Sequence, residues 1–113
     1  QRPSEDTTVT EQRQHVRYQV EFPAIFAGDP SGVGIVYNLG MGGCKVVSDL
    51  GVTRSGLLTM DLQIPEQTMA ITIQAARVQW TMEFEFGVEF LELQDLERTK
   101  LEQFLATQVK IGA

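Results

Sequence analysis

From Val16 onward the chain is organised by a hydrophobic period of two. Val16, Tyr18, Val20, Phe22 and Ala24 fall on one side and Arg17, Gln19 and Glu21 on the other, the pattern of a half-buried strand. Pro23, which cannot donate to a ladder, points to an edge or a bulge within it. The turn-forming run Gly28-Asp29-Pro30-Ser31-Gly32 separates this strand from a short apolar run, Val33 to Leu39, interrupted by Gly34. Asn38-Leu39-Gly40-Met41-Gly42-Gly43 breaks the chain again, after which Cys44, Val46 and Ser48 alternate with Lys45 and Val47. Leu58, Met60, Leu62 and Ile64 mark a fourth strand ending at Pro65. Between Met69 and Trp80 the inward set runs Ile71, Ile73, Ala75 and then Ala76, Val78, Trp80, and this change of parity predicts a bulge near Ala75-Ala76. Phe84, Phe86, Val88 and Phe90 share one face of the next strand, with Glu83, Glu85 and Glu89 on the other.

The period then lengthens. Leu101, Phe104, Leu105 and Val109 recur at helical spacing, with Asp95 as N-cap and Glu97 in the first turn. Roughly six turn-separated strands followed by one helix predict an all-β domain, a small antiparallel barrel that the helix plugs or flanks. Gln1 to Gln12 is polar, contains Pro3 and lacks apolar periodicity, so it reads as a flexible leader or linker ahead of a domain over 13–110.

A length of 113 residues suits one compact domain, and 42% hydrophobic with 21% charged residues is an ordinary globular composition. The net charge of −6 argues against a nucleic-acid polymer or an anionic membrane as partner, since both reward a basic footprint. Screening over about 8 Å at physiological salt still lets a few clustered arginines capture a small anion. Cys44 is the single cysteine, which rules out an intrachain disulfide and fits a reducing cytoplasm. The sequence contains no apolar run of membrane-spanning length, and Gln1 to Gln14 lacks the apolar region of a signal peptide. A start at Gln1 rather than Met suggests processing or excision from a longer chain, with neighbouring domains outside these residues.

Two motifs bear on chemistry. Arg13-Gln14-His15-Val16-Arg17 sets two guanidinium groups four residues apart where leader meets first strand, close enough in either strand or helix to converge on one ligand. Guanidinium suits a guanine nucleotide because it bonds bidentately to the O6/N7 edge, bridges phosphate oxygens and stacks on a purine face. In Asn38-Leu39-Gly40-Met41-Gly42-Gly43, glycines permit close backbone approach to a ligand and the Asn38 amide can read a base edge. Taken singly, an Arg-x-x-x-Arg pair is commonly a solvated face, and Asn and Gly are what any tight hairpin needs.

Taken together and in this order, the two elements resemble the PilZ domain family, whose signature is Arg-x-x-x-Arg followed by Asp/Asn-x-Ser-x-x-Gly. Ala76-Arg77-Val78-Gln79-Trp80, Phe86-Gly87-Val88-Glu89-Phe90 and the terminal helix extend the similarity, which spans Gln12 to Gln108. The resemblance implies a six-stranded split barrel with a C-terminal helix that binds the second messenger cyclic di-GMP, its N-terminal arm folding over the dinucleotide. Carried over by residue, Arg13 and Arg17 engage guanine and phosphate, Asn38 a guanine edge, and Gly43 the close backbone approach, while Gly40 stands at the family's usual Ser. Loss of that hydroxyl implies a weaker contact, a neutral hydrogen bond being worth about 0.5–1.5 kcal/mol. Gln12 precedes the arginine pair where a further arginine is associated with capture of a ligand dimer, so one ligand per domain is implied. A protein partner or fused neighbouring domain touching the leader would receive the arm movement.

Other residues carry less. His15 reads as an exposed imidazole on the leader, Trp80, Phe84, Phe86 and Phe90 as core or barrel wall, Glu83, Glu85, Glu89 and Glu92 as a solvated face, and Cys44 as a buried structural thiol. No nucleophile–base pair or metal-ligand spacing occurs, which disfavours an enzyme, and no cofactor is expected beyond the ligand itself. The alternative within the same family is an interaction domain that does not bind the nucleotide. An oligonucleotide-binding barrel is disfavoured by the charge.

Overall fold

The computed structural model describes residues 16–28, 31–65 and 70–110. Period-two segments become β1 (Arg17–Gln19), β2 (Phe22–Gly28), β3 (Gly32–Tyr37), β4 (Leu39–Gly40), β5 (Gly43–Val47), β6 (Leu57–Leu62), β7 (Ile71–Met82) and β8 (Glu85–Glu92). They are followed by α1 (Asp95–Leu105) and β9 (Val109–Lys110). Six of the strands close into an antiparallel barrel in the order β2-β3-β5-β8-β7-β6, which leaves none of them an open edge. Beside it lies a three-stranded sheet, β4-β1-β9.

Alternation sends one residue in two to the barrel interior. Phe26 and Phe86 meet there edge to face at 5.6 Å between centroids, and Val36, Val46, Met60 and Ile73 are fully buried around them. Each such side chain contributes about 1.5–3 kcal/mol by leaving water. The parity change expected at Ala75-Ala76 is present as a register shift in both the β6–β7 and β7–β8 pairings.

The helix packs against the starts of β2 and β7. Leu101 and Leu105, one turn apart, are buried, and Phe104 meets Phe22 edge to face at 5.7 Å. Polar contacts fix its start: the Glu97 carboxylate accepts the Thr72 N–H at 2.8 Å and lies 3.0 Å from Lys100 Nζ, which itself donates to the Ala70 carbonyl at 3.2 Å. Burial works to raise the Glu97 pKa, but the Thr72 N–H and the Lys100 bond and charge outweigh it, and the net shift is downward.

Details of the strands and helix differ from the sequence reading. The run from Val16 to Ala24 is two strands, because the chain changes sheets at Val20-Glu21; Val20 and Phe22 are both buried, so the period continues across the break and conceals it. Phe84 is a turn residue of the β7–β8 hairpin, 62% exposed, following Glu83 at φ 51°. The N-cap is Gln94, with Asp95 the first helical residue. Val109 lies beyond the helix end, in β9, and is exposed. Among the described residues no helix is long and apolar enough to cross a membrane.

Candidate ligand-binding site

The first motif meets the second through backbone pairing. β1 runs antiparallel to β4, placing Arg17 opposite Gly40 and Tyr18 opposite Leu39. This is possible because Asn38 adopts φ 51°, a left-handed conformation that asparagine tolerates, and so turns the chain out of β3 into β4. The same turn presents the Asn38 carbonyl to Arg17, whose Nη1 donates to it at 2.8 Å. Arg13 lies outside the described residues, as do His15, Gln12 and the leader.

Gly40 and Gly43 serve close packing. A Cβ on Gly40 would stand 2.5 Å from the Val16 carbonyl oxygen and 3.1 Å from Arg17 Cδ, so the absence of the family's serine has a steric reason here: the arm strand occupies its place. A Cβ on Gly43 would run into the Val88 carbonyl of the neighbouring barrel strand.

Arg17 and Asn38 line a cleft of about 220 Å³ together with Lys45, Gln79, Trp80 and Gly87, floored by Cys44 and Val88. Asn38 and Lys45 also line a larger neighbouring cleft of about 660 Å³ that reaches Gln19, Tyr37 and Gln108. Lys45 Nζ stands 5.9 Å from the Tyr37 ring centroid and 3.9 Å from Glu85, loose contacts that leave its charge available to an anion. Cys44 beneath is held inert: burial raises its pKa to about 12, outweighing the Arg17 charge, which acts the other way. Among the described residues no group of three His, Cys, Asp or Glu side chains is placed to hold a metal ion.

Lys45, Gln79 and Trp80 are not among the residues the motifs single out; Trp80, expected as core or barrel wall, is on barrel strand β7 but faces outward rather than into the core. The register shift between Val78 and Trp80 is a second bulge in β7. It turns Trp80 outward, opposite Gly87 and 39% exposed, and leaves Gln79 exposed beside it. The indole lies against Gly87, where a Cβ would collide with its Nε1 edge. A glycine inside a strand often marks a bulge or a close approach, and Gly87 was the one signal in the sequence that pointed here.

The barrel, its terminal helix and the pairing of Arg17 with Gly40 coincide with a match of the PilZ domain family model to residues 11–107. The chain belongs to the PilZ family. PilZ domains are non-catalytic receptor domains, in general for cyclic di-GMP. Among solved structures, the Bacillus subtilis inhibitor of motility MotI/DgrA is similar with a TM-score of 0.69 at 22% identity, over 83% of this chain and 49% of that one. This chain therefore spans about half the length of MotI/DgrA. The PilZ domain of CeSA from a cellulose synthesizing bacterium is similar with a TM-score of 0.62 at 14% identity, over 80% of this chain and 94% of that one. At these identities the likeness is one of PilZ fold. No curated protein matches the chain.

Proposed function

We propose that this PilZ domain is a cyclic di-GMP receptor module, with residues 13–110 as the receptor unit and Arg13, Arg17, Asn38, Gly40 and Gly43 as its binding set. The observation that carries the reading is the β1–β4 pairing, which holds the Arg17 guanidinium 2.8 Å from the Asn38 carbonyl beside an open cleft that both residues line. Asn38 engages a single N–H of that guanidinium, and the remainder suit phosphate oxygens or the O6/N7 edge of guanine. The exposed Trp80 ring offers a face on which a purine can stack.

Because Arg17 is already paired with Gly40 of β4, the movement on binding belongs to Arg13 and the residues before Arg17, which the anionic ligand draws to a half-assembled site. Amide exchange protection is expected to rise at Gln12 to Val16 on ligand addition; unchanged protection there argues against arm closure. A protein partner or neighbouring domain in contact with that segment would receive the signal.

Calorimetry with cyclic di-GMP tests the reading. Saturable binding is expected in the wild type, weakened roughly ten- to hundredfold in Arg17→Ala, since hydrogen bonds to a charged group are worth about 1.5–3 kcal/mol. Absence of binding at high-micromolar ligand would contradict it.

A second reading, an interaction domain indifferent to the nucleotide, is favoured by a different observation. On the outer barrel wall Pro23, Ile35 and Val47 form one cross-strand row, and Ile25 faces Val33 in the next, these last 47% and 61% exposed. Contiguous apolar surface of this kind commonly marks an interaction site. Partner binding that survives substitution of all five motif positions, with no thermal shift on adding the dinucleotide, would support this reading over the first.

A further inference from the structure

The bulge in β7 brings more than Trp80 to the cleft. Gln79, the residue it inserts, lines the same cleft as Arg17 and Asn38. Its side-chain Nε2 donates to Glu89 Oε1 on β8 at 3.1 Å, and its backbone carbonyl accepts from Arg54 Nε at 3.3 Å. An ionised carboxylate accepts hydrogen bonds and cannot donate them, so Glu89 fixes which way round the Gln79 amide stands: the NH2 end must face Glu89. The carbonyl end, Oε1, is engaged by no donor among the described residues.

The cleft therefore offers both kinds of hydrogen-bonding group. Arg17 and Lys45 supply donors, and Gln79 Oε1, whose amide is oriented by Glu89, supplies an acceptor. Guanine carries the complementary groups, acceptors at O6 and N7 and a donor in its exocyclic 2-amino group; adenine has no 2-amino group. We propose that Gln79, oriented by Glu89, is a specificity-determining residue of this site, accepting a hydrogen bond from the 2-amino group of a bound guanine while Arg17 takes the O6/N7 edge. Gln79 touches the ligand, and Glu89 is a positioning residue that acts through it. This inference rests on the reading of the domain as a cyclic di-GMP receptor.

The discriminating probe is cyclic di-IMP, identical to cyclic di-GMP except for the missing 2-amino groups. Affinities of both dinucleotides are measured by calorimetry for the wild type, Gln79→Ala, the near-isosteric Gln79→Met and Glu89→Gln, with thermal melts to verify that each variant is folded. The wild type is expected to prefer cyclic di-GMP by roughly three- to tenfold, the worth of one neutral hydrogen bond. Both Gln79 variants are expected to bring that ratio close to unity, by weakening cyclic di-GMP and leaving cyclic di-IMP unchanged. Glu89→Gln, which frees the amide to turn over, is expected to give an intermediate ratio. Equal wild-type affinity for the two dinucleotides, or an undiminished ratio in the Gln79 variants, overturns the role of Gln79 and leaves the receptor reading standing. A wild type that binds neither removes both.

Discussion

At the residue scale, two glycines decide what the cleft contains. Gly40 accommodates the arm strand: a side chain there meets the Val16 carbonyl, a backbone atom that cannot turn aside. Restoring the family's serine by Gly40→Ser is therefore expected to loosen β1 rather than to supply a useful hydroxyl. The overpacking cost is about 1–3 kcal/mol, and exchange protection at Tyr18 and Gln19 should fall along with affinity for cyclic di-GMP. Tighter binding by Gly40→Ser would show that the missing hydroxyl, and not strand packing, governs this position. Gly87 plays the corresponding part for Trp80. Gly87→Ala is expected to push the indole off its seat with the barrel still folded, which near-ultraviolet circular dichroism would register as a changed Trp80 signal. Cys44, with its thiol pushed up to about 12 by burial, should react with thiol reagents at neutral pH only as fast as the domain opens.

At the scale of elements, the helix is attached by charge as well as by Leu101 and Leu105. The Glu97 carboxylate takes the Thr72 N–H at the start of β7 and pairs with Lys100, and its pKa falls below the ordinary 4.5 as a result. A carboxylate whose folded pKa lies below its unfolded one stabilises the fold above the unfolded value, and this contribution is lost as pH falls through the folded value. The melting temperature is thus expected to drop on acidification from about pH 5 more steeply in the wild type than in Glu97→Gln. At neutral pH, Glu97→Ala leaves the Thr72 N–H and the Lys100 charge without their partner and should cost about 1–3 kcal/mol. Parallel pH profiles for wild type and Glu97→Gln would contradict the assignment.

Elements also mark how far the chain can be read without coordinates. Alternation, turn chemistry and the parity change at Ala75-Ala76 identify the barrel strands because each reflects local geometry. The break between β1 and β2 leaves the alternation intact and is invisible in it. The bulge at Gln79 reverses the direction of Trp80, and only the glycine across the pair, Gly87, betrays it. Likewise, β9 is two exposed residues, Val109 and Lys110, that acquire strand character solely by pairing with Gln19 and Tyr18. Arg17 and Asn38 stood out only because their two motifs occur together and in the family's order, each being commonplace alone; Lys45 and Gln79 belong to neither motif, and long polar side chains on strands are usually solvated.

For the whole molecule, the barrel closes on itself while Arg17 lies in the small sheet β4-β1-β9, the part that the proposed ligand would tighten. The chain carries a net charge of −6, yet the cleft presents Arg17 and Lys45, so the proposed capture of an anion rests on the local rather than the global field. A ligand that binds only the folded state stabilises it by mass action, about 2.7 kcal/mol at a hundredfold excess over Kd, which for a domain of this size raises Tm on the order of 10 °C. Trp80 is the single tryptophan of the chain and lines the cleft with Arg17, so its emission reports on that site alone. The most direct measurement is a titration of tryptophan fluorescence with cyclic di-GMP, in the wild type and in Arg17→Ala. A saturable change in the wild type that requires far more ligand in Arg17→Ala is the expected result. Emission that stays constant while calorimetry records saturable binding would put the ligand elsewhere on the barrel and contradict the account.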